Sequence, residues 1–279
     1  MKHNFMFWHV FQDCNFSCHF CRAIHLRKKG CSESFKRFRD LAFHDTMLRF
    51  FDEELSRAGS WTICLTGGEP LLMPHLPYLS RELIQRGHRI RYNTNLSIPI
   101  EKNEDFFKAN PPQSVDVFMV SIHPESYQRL EEIVNRIRVL KGMGYRLVVR
   151  SVGTREVLPR LRELDDICRE IDVSFTPLGL RDGVQQEAYT PEEFILLRSM
   201  MKGYGELINL YGGVDSKGRF CNAGSRSLDL RTVDAHRVFV KHCVHCKNII
   251  MDNMDLSSTS IGHGLYEQLS RTPRKCPCP

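Results

Sequence analysis

Six short runs rich in β-branched and aromatic residues, interleaved with longer stretches of helical character, restrict the fold of this chain more than any other feature. The runs span residues 6–12, 61–65, 89–93, 115–122, 146–152 and 172–177. Helical patterns occupy 45–58, 76–86, 125–143 and 155–171, each after a strand; within 125–143, Ile133, Ile137 and Leu140 recur at helical spacing. Strands separated by helices pair in parallel, and right-handed crossovers repeated in one direction curl the sheet toward a barrel. Six units predict an α/β fold built on a partial (βα)6 barrel of the TIM type. After Leu180 the pattern changes. Residues 181–189 are polar, Thr190-Pro191-Glu192-Glu193 reads as a helix start with Thr190 as N-cap, and no further βα unit follows. The expected division is a barrel over 1–182 and a small cysteine-rich C-terminal domain over 183–279.

The cysteines carry the next constraint. Residues 1–12 lack the pattern of a secretory signal, and no uninterrupted apolar run approaches the roughly 20 residues that cross a bilayer. A cytoplasmic, membrane-free protein is therefore expected. Its 11 cysteines then point to metal ligation or catalysis rather than to disulfides. Cys14, Cys18 and Cys21 lie near the start, and Cys221, Cys243, Cys246, Cys276 and Cys278 near the end. Cys31, Cys64 and Cys168 are scattered and read as core thiols. The net charge of +6 admits an anionic ligand without demanding nucleic acid. With 42% hydrophobic and 26% charged residues the chain is ordinary globular material.

Cys14-Asn15-Phe16-Ser17-Cys18-His19-Phe20-Cys21 is a CxxxCxxC triplet directly after the first strand. In a parallel α/β barrel the loops leaving the carboxyl ends of the strands carry the chemistry. Soft thiolates select zinc or iron-sulfur clusters, and a site one protein ligand short of four keeps a position open. A zinc knuckle or a loop of inert thiols is the alternative.

The triplet resembles that of the radical S-adenosylmethionine (SAM) superfamily, in which three cysteines bind three irons of a [4Fe-4S] cluster and SAM takes the fourth. The resemblance implies reductive cleavage of SAM to a 5′-deoxyadenosyl radical that abstracts hydrogen from a substrate, with Phe20 packing near the adenine. Gly67-Gly68-Glu69-Pro70 after the second strand is similar to the family's GGEP motif, which meets the SAM amino group. Asn93-Thr94-Asn95 resembles its Thr-Asn-Gly segment, with Leu96 where glycine often stands, and puts Asn95 nearest to SAM. Ser121-Ile122-His123-Pro124 ends the fourth strand. Ser121 matches the family's serine there, as a hydroxyl for the SAM ribose or carboxylate, whereas His123 departs from the family's aspartate. Arg150, ending the fifth strand, corresponds to an arginine that grips the SAM carboxylate, a role suited to a guanidinium fork. Phe175 to Leu178 would be the sixth strand, with an apolar residue flanking adenine.

Toward the end, Cys221 precedes two runs, 228–230 and 238–240, that read as strand, turn, strand. The pattern resembles the cysteine-rich extension known as SPASM or, in its one-cluster form, twitch. That implies one auxiliary [4Fe-4S] cluster on Cys221, Cys243, Cys276 and Cys278, with Cys246 able to replace one of them; structural zinc at Cys243 to Cys246 is the alternative. The resemblance implies a cytoplasmic oxidoreductase or maturase served by an electron donor such as flavodoxin or ferredoxin. It favours a peptide or protein substrate over a small molecule such as a sugar or nucleoside. A non-catalytic iron-sulfur or zinc protein that binds nucleic acid is the reading from another class. No general base is evident: Asp182, Glu187 and His123 are titratable groups near the expected barrel mouth, and the basic run His25 to Lys29 reads as a solvated loop.

Overall fold

Alternation along the first strand shows how the sheet is built. In β1 (Asn4–Phe11), Met6, Trp8 and Val10 are fully buried, whereas Phe5, Phe7 and His9 between them are partly open. One face therefore meets helices and the other lines the concave side of the sheet. The computed structural model describes residues 4–21, 32–100, 103–182, 185–186, 189–201, 220–221, 227–232, 238–241, 249–251 and 274–275.

Every expected strand is present. β2 (Trp61–Gly67), β3 (Arg89–Thr94), β4 (Val115–Ile122), β5 (Leu147–Val152) and β6 (Ser174–Leu178) follow β1 in spatial order, all parallel. Strands β7 (Arg181–Asp182) and β8 (Gln185–Gln186) form a small antiparallel pair. β9 (Phe220–Cys221) pairs antiparallel with β13 (Arg274–Lys275). The late hairpin forms as read, from β10 (Ser227–Thr232) and β11 (Val238–Lys241), with β12 (Ile249–Met251) beyond it. Its placement is not legible in the sequence: β10 lies parallel to β1, with Phe5 opposite Ser227 and His9 opposite Arg231. The parallel array thus has seven strands, and the free edge of β1 is covered rather than left with unpaired backbone groups.

Three of the described α-helices start at a side-chain cap, Asp40, Asn103 or Thr190. Asp40 accepts from Ala42 N at 3.0 Å at the head of helix Leu41–Phe50, which runs on as tighter and wider turns to Ala58. The helix expected over 45–58 therefore begins four residues earlier. The stretch 125–143 divides into a 3-10 turn, Pro124–Arg129, and the helix Leu130–Gly142. Likewise, 155–171 condenses to the helix Leu161–Glu170 behind the 3-10 turn Leu158–Arg160. Thr190 caps Pro191–Met200 through the reciprocal bonds with Glu193 that Thr-Pro-Glu-Glu predicts. The short helix Glu104–Ala109, capped by Asn103, lies outside the expected elements, because six residues show too little periodicity.

The core lies between the sheet and these helices. Trp8 meets Phe38 and Phe51, and Tyr92 stacks on Phe118 at 4.9 Å between ring centroids. Tyr92 and Tyr145 both close on Asn110, donating to its side-chain oxygen and its carbonyl at 2.6 Å each. Among the described residues no helix is long and apolar enough to cross a membrane.

Candidate active site

The cysteine loop leaves the carboxyl end of β1 and is tied at once to the loop after β2. Gly68 N donates to Phe11 O at 2.7 Å, and Glu69 N to Asp13 O at 2.9 Å. Both glycines are required by this approach. A Cβ on Gly67, whose φ is +122°, would stand 2.3 Å from Phe11 O, and one on Gly68 would stand 1.8 Å from Asp13 O. The two loops therefore dock backbone to backbone.

They enclose a cavity of about 140 Å³. Cys14, Cys18 and Cys21 line it together with Phe20, Gly67, Gly68, Glu69, Asn95 and Ser121, so one space collects residues picked from separate segments of sequence. Phe16, Thr66, Asn93, Thr94 and His123 complete the wall. Cys18 is buried, and Cys14 and Cys21 are half-buried. Pro70 does not line the cavity. It opens the 3-10 turn Pro70–Leu72, which Glu69 caps. Arg150 does not line it either, but sits on β5 between Ser121 and Thr176 in register, on the concave side.

Glu69 is 1% exposed and fully engaged. Its carboxylate accepts from Leu71 N at 2.9 Å, Thr94 Oγ1 at 2.7 Å and Asn95 N at 2.7 Å. Burial pushes its pKa up to about 7 against the pull of those three donors. The carboxylate therefore also fastens the loop after β2 to the end of β3. Leu96, at the position where glycine is common, adopts φ of +51°. A side chain in that region costs on the order of 1 kcal/mol. Arg136, itself buried, offsets this by donating to Leu96 O at 3.2 Å and Ser97 O at 3.3 Å.

Around the rim, Ser121 Oγ lies 3.4 Å from Asn93 Oδ1, and Asn93 Nδ2 donates to Thr66 Oγ1 at 3.0 Å. Phe20 faces the His123 ring at 5.4 Å. Burial holds His123 down at a pKa of about 4, so it is neutral at pH 7, and its Nδ1 has no hydrogen-bond partner among the described residues. Sequence reasoning missed Glu125, whose Oε2 accepts from Cys18 Sγ at 3.2 Å. Burial first, then this carboxylate, holds the Cys18 thiol well above its usual range. It also missed Asn15 and Ser97, which bond each other at 2.6 Å beside Asn95. Nothing but spacing within the CxxxCxxC loop could have pointed to Asn15.

Cys64 and Cys168 are core thiols as expected, both pushed to about 12 by burial. Cys243, Cys246, Cys276, Cys278, Cys31, Glu187 and the run 25–29 lie outside the described residues. Of Cys221 and Asp182 only the backbone is described, in β9 and β7.

The thiol set suits a cluster with one open corner. Each thiolate of an iron-sulfur cluster takes its own iron, and among the described residues no three His, Cys, Asp or Glu converge on a single metal ion. The backbone cradle of Gly67 and Gly68, which any side chain would fill, and the buried carboxylate of Glu69 border the same space.

Residues 8–124 match the family model described as the Radical SAM superfamily. No curated protein sequence matches the chain. Among solved structures, Streptococcus suis SuiB bound to S-adenosylmethionine superposes with a TM-score of 0.63 at 12% identity, over 95% of this chain and 65% of SuiB. SuiB bound to its precursor peptide SuiA gives 0.57 at 11% identity, over 99% and 63%. Histidine-tagged anSMEcpe with bound AdoMet gives 0.60 at 14% identity, over 97% and 80%. At these identities the likeness is one of fold, and the chain spans somewhat less than two thirds of SuiB.

Proposed function

We propose that this chain, whose residues 8–124 match the Radical SAM superfamily model, is an enzyme that opens SAM reductively and uses the product to take a hydrogen atom from a substrate. The observation that carries the reading is the single cavity shared by Cys14, Cys18, Cys21 and the Gly67-Gly68-Glu69 loop. A [4Fe-4S] cluster and SAM, when bound, supply the electron transfer and the 5′-deoxyadenosyl radical. The chain's own residues hold and shield them. Cys14, Cys18 and Cys21 would ligate three irons, leaving the cavity side open. Gly67 and Gly68 present bare backbone, and Glu69 offers a carboxylate to the ammonium of SAM. Phe20 would cover the adenine, Asn95 would border the bound molecule, Ser121 would offer its hydroxyl to it, and Arg150, beside Ser121 in register, would take the carboxylate.

A peptide or protein substrate is the preferred class. It is supported by two solved structures of like fold, SuiB with precursor peptide SuiA and anSMEcpe with the Kp18Cys peptide. Oxidation or rearrangement of a small molecule is the second reading. The chain would divide near residue 182, and its later part would bind an auxiliary cluster through Cys221, Cys243, Cys276 and Cys278. Pairing of β9 with β13 favours this, since it sets Cys221 opposite Arg274, close in sequence to Cys276. A cytoplasmic flavodoxin or ferredoxin would be the electron donor.

The test is anaerobic reconstitution with iron and sulfide, followed by visible spectra with and without SAM. The reading expects an iron-sulfur spectrum that SAM perturbs, and no such perturbation when Cys14, Cys18 and Cys21 are replaced by Ala. A spectrum indifferent to SAM in the parent chain would count against it.

A further inference from the structure

The end of β3 carries a closed ring of hydrogen bonds that terminates on a cysteine sulfur. Asn95 Oδ1 accepts from Ser97 N at 2.9 Å and from Ser97 Oγ at 2.6 Å. A backbone N–H can only donate, so this contact fixes which end of the amide is oxygen. The amide nitrogen therefore faces the cysteine loop. It donates to Asn15 Oδ1 at 3.0 Å and lies 3.7 Å from Cys14 Sγ. Asn15 Nδ2 closes the ring on Ser97 Oγ at 2.6 Å. Asn95 and Ser97 are 5% and 2% exposed, whereas Asn15 is exposed, so the ring is shielded from water on the β3 side alone. Bonds in such a ring polarise and orient one another. Phe16 N approaches the same sulfur at 3.4 Å, so Cys14 stands before two N–H donors. Cys18 is its opposite, in contact with the Glu125 carboxylate.

We propose that Asn95, oriented by Asn15 and Ser97, is a positioning residue that donates to the Cys14 sulfur and raises the reduction potential of the cluster this triplet would hold. The inference rests on the function proposed above. A cluster that takes one electron from a reductant spreads part of that charge onto its thiolate sulfurs. An N–H donor at one of them stabilises the reduced form more than the oxidised form. The surroundings of the triplet are thus polarised, with donors at Cys14 and a carboxylate at Cys18.

The experiment is a potentiometric titration of the reconstituted, SAM-free chain with dithionite under anaerobic conditions. It follows the electron paramagnetic resonance signal that SAM is separately shown to perturb. Asn95→Ala should load iron and lower the potential, so that the ratio of reduced to oxidised cluster at the parent's midpoint falls at least threefold, about 28 mV for a one-electron couple. Asn15→Ala removes the acceptor that aims the amide, and should shift the potential the same way by less. Loaded variants with the parent's potential would overturn the proposal. If Asn95→Ala does not load, Asn15→Ala decides. If neither loads while circular dichroism of the apo chains stays native, the ring is a requirement of ligation and the tuning role is refuted. A parent chain that binds no SAM-responsive cluster would contradict the function and the inference with it, whereas loaded variants at the parent's potential overturn the inference alone.

Discussion

His9 on β1 and Asp229 on β10 meet at 3.1 Å between Nε2 and Oδ1, a charge contact without the angles of a conventional hydrogen bond. Arg231 Nε holds the other carboxylate oxygen at 2.9 Å. Asp229 is fully buried at the seam where the late hairpin joins the first strand. Burial raises its pKa, yet contact with His9 and the charge of Arg231 outweigh that, and the net shift is downward.

Breaking this contact should loosen the hairpin from the barrel. Asp229→Asn is expected to cost about 1 to 3 kcal/mol, below the usual value for a fully buried pair because His9 and Arg231 keep some solvent. A carboxylate whose folded pKa is depressed stabilises above its unfolded pKa, near 4, and loses that contribution as pH falls through the folded value. Urea denaturation should therefore separate parent and variant at pH 7, and the gap should close below about pH 4. An equal gap at both pH values would remove the charge from the explanation.

Glu69 carries the opposite sign. Its folded pKa, about 7, exceeds the ordinary value of 4.5, so its ionisation costs stability as pH rises through that interval. The loss is roughly 3 kcal/mol for a shift of this size. Glu69→Gln should flatten the stability of the apo chain between pH 5 and 8. A ligand with an ammonium group favours the ionised form, so SAM affinity should rise with pH over the same range in the parent alone. Arg150→Ala should weaken SAM binding by about 1.5 to 3 kcal/mol while iron content stays near the parent's. Calorimetric titration of the reconstituted proteins checks both.

The two loops leave no space for a methyl group at Gly68. Gly68→Ala must push its Cβ off Asp13 O or part the loops. It should cost roughly 2 kcal/mol or more in thermal unfolding and reduce iron uptake. Gly142, at the end of its helix, has nothing within 4 Å of an added Cβ, so Gly142→Ala should be neutral or slightly stabilising. Equal effects at the two positions would contradict the docking described here.

Much of this arrangement is legible in the chain because the residues concerned are contiguous. The barrel strands alternate or run apolar over five to eight residues, and Cys14 to Cys21 and Gly67 to Pro70 each sit within one loop. What escapes sequence reasoning is contact at a distance. Asn15 meets Ser97 across 82 positions and Cys18 meets Glu125 across 107, and no local pattern marks Asn, Ser or Glu as partners. The edge chosen by β10 escapes for the same reason, since a strand's propensity says nothing of its neighbour. Arg150 shows a subtler gap: its strand is legible, but register alone sets it beside Ser121 rather than on the cavity wall.

The C-terminal cysteines can be tested through the N-terminal ones. With Cys14, Cys18 and Cys21 replaced by Ala, the reconstituted chain should retain about four irons, following cluster stoichiometry, with a spectrum that SAM does not alter. Zinc in place of iron in that variant would support a structural zinc site instead.

The central claim is that the cavity bordered by Cys14, Cys18, Cys21 and Glu69 is where SAM is opened. Its most direct test is product analysis of the anaerobically reconstituted chain with SAM and a strong reductant. The parent should release 5′-deoxyadenosine and methionine, and the Cys14, Cys18, Cys21 triple Ala variant should release neither. Cleavage by the triple variant at the parent's rate would contradict the account.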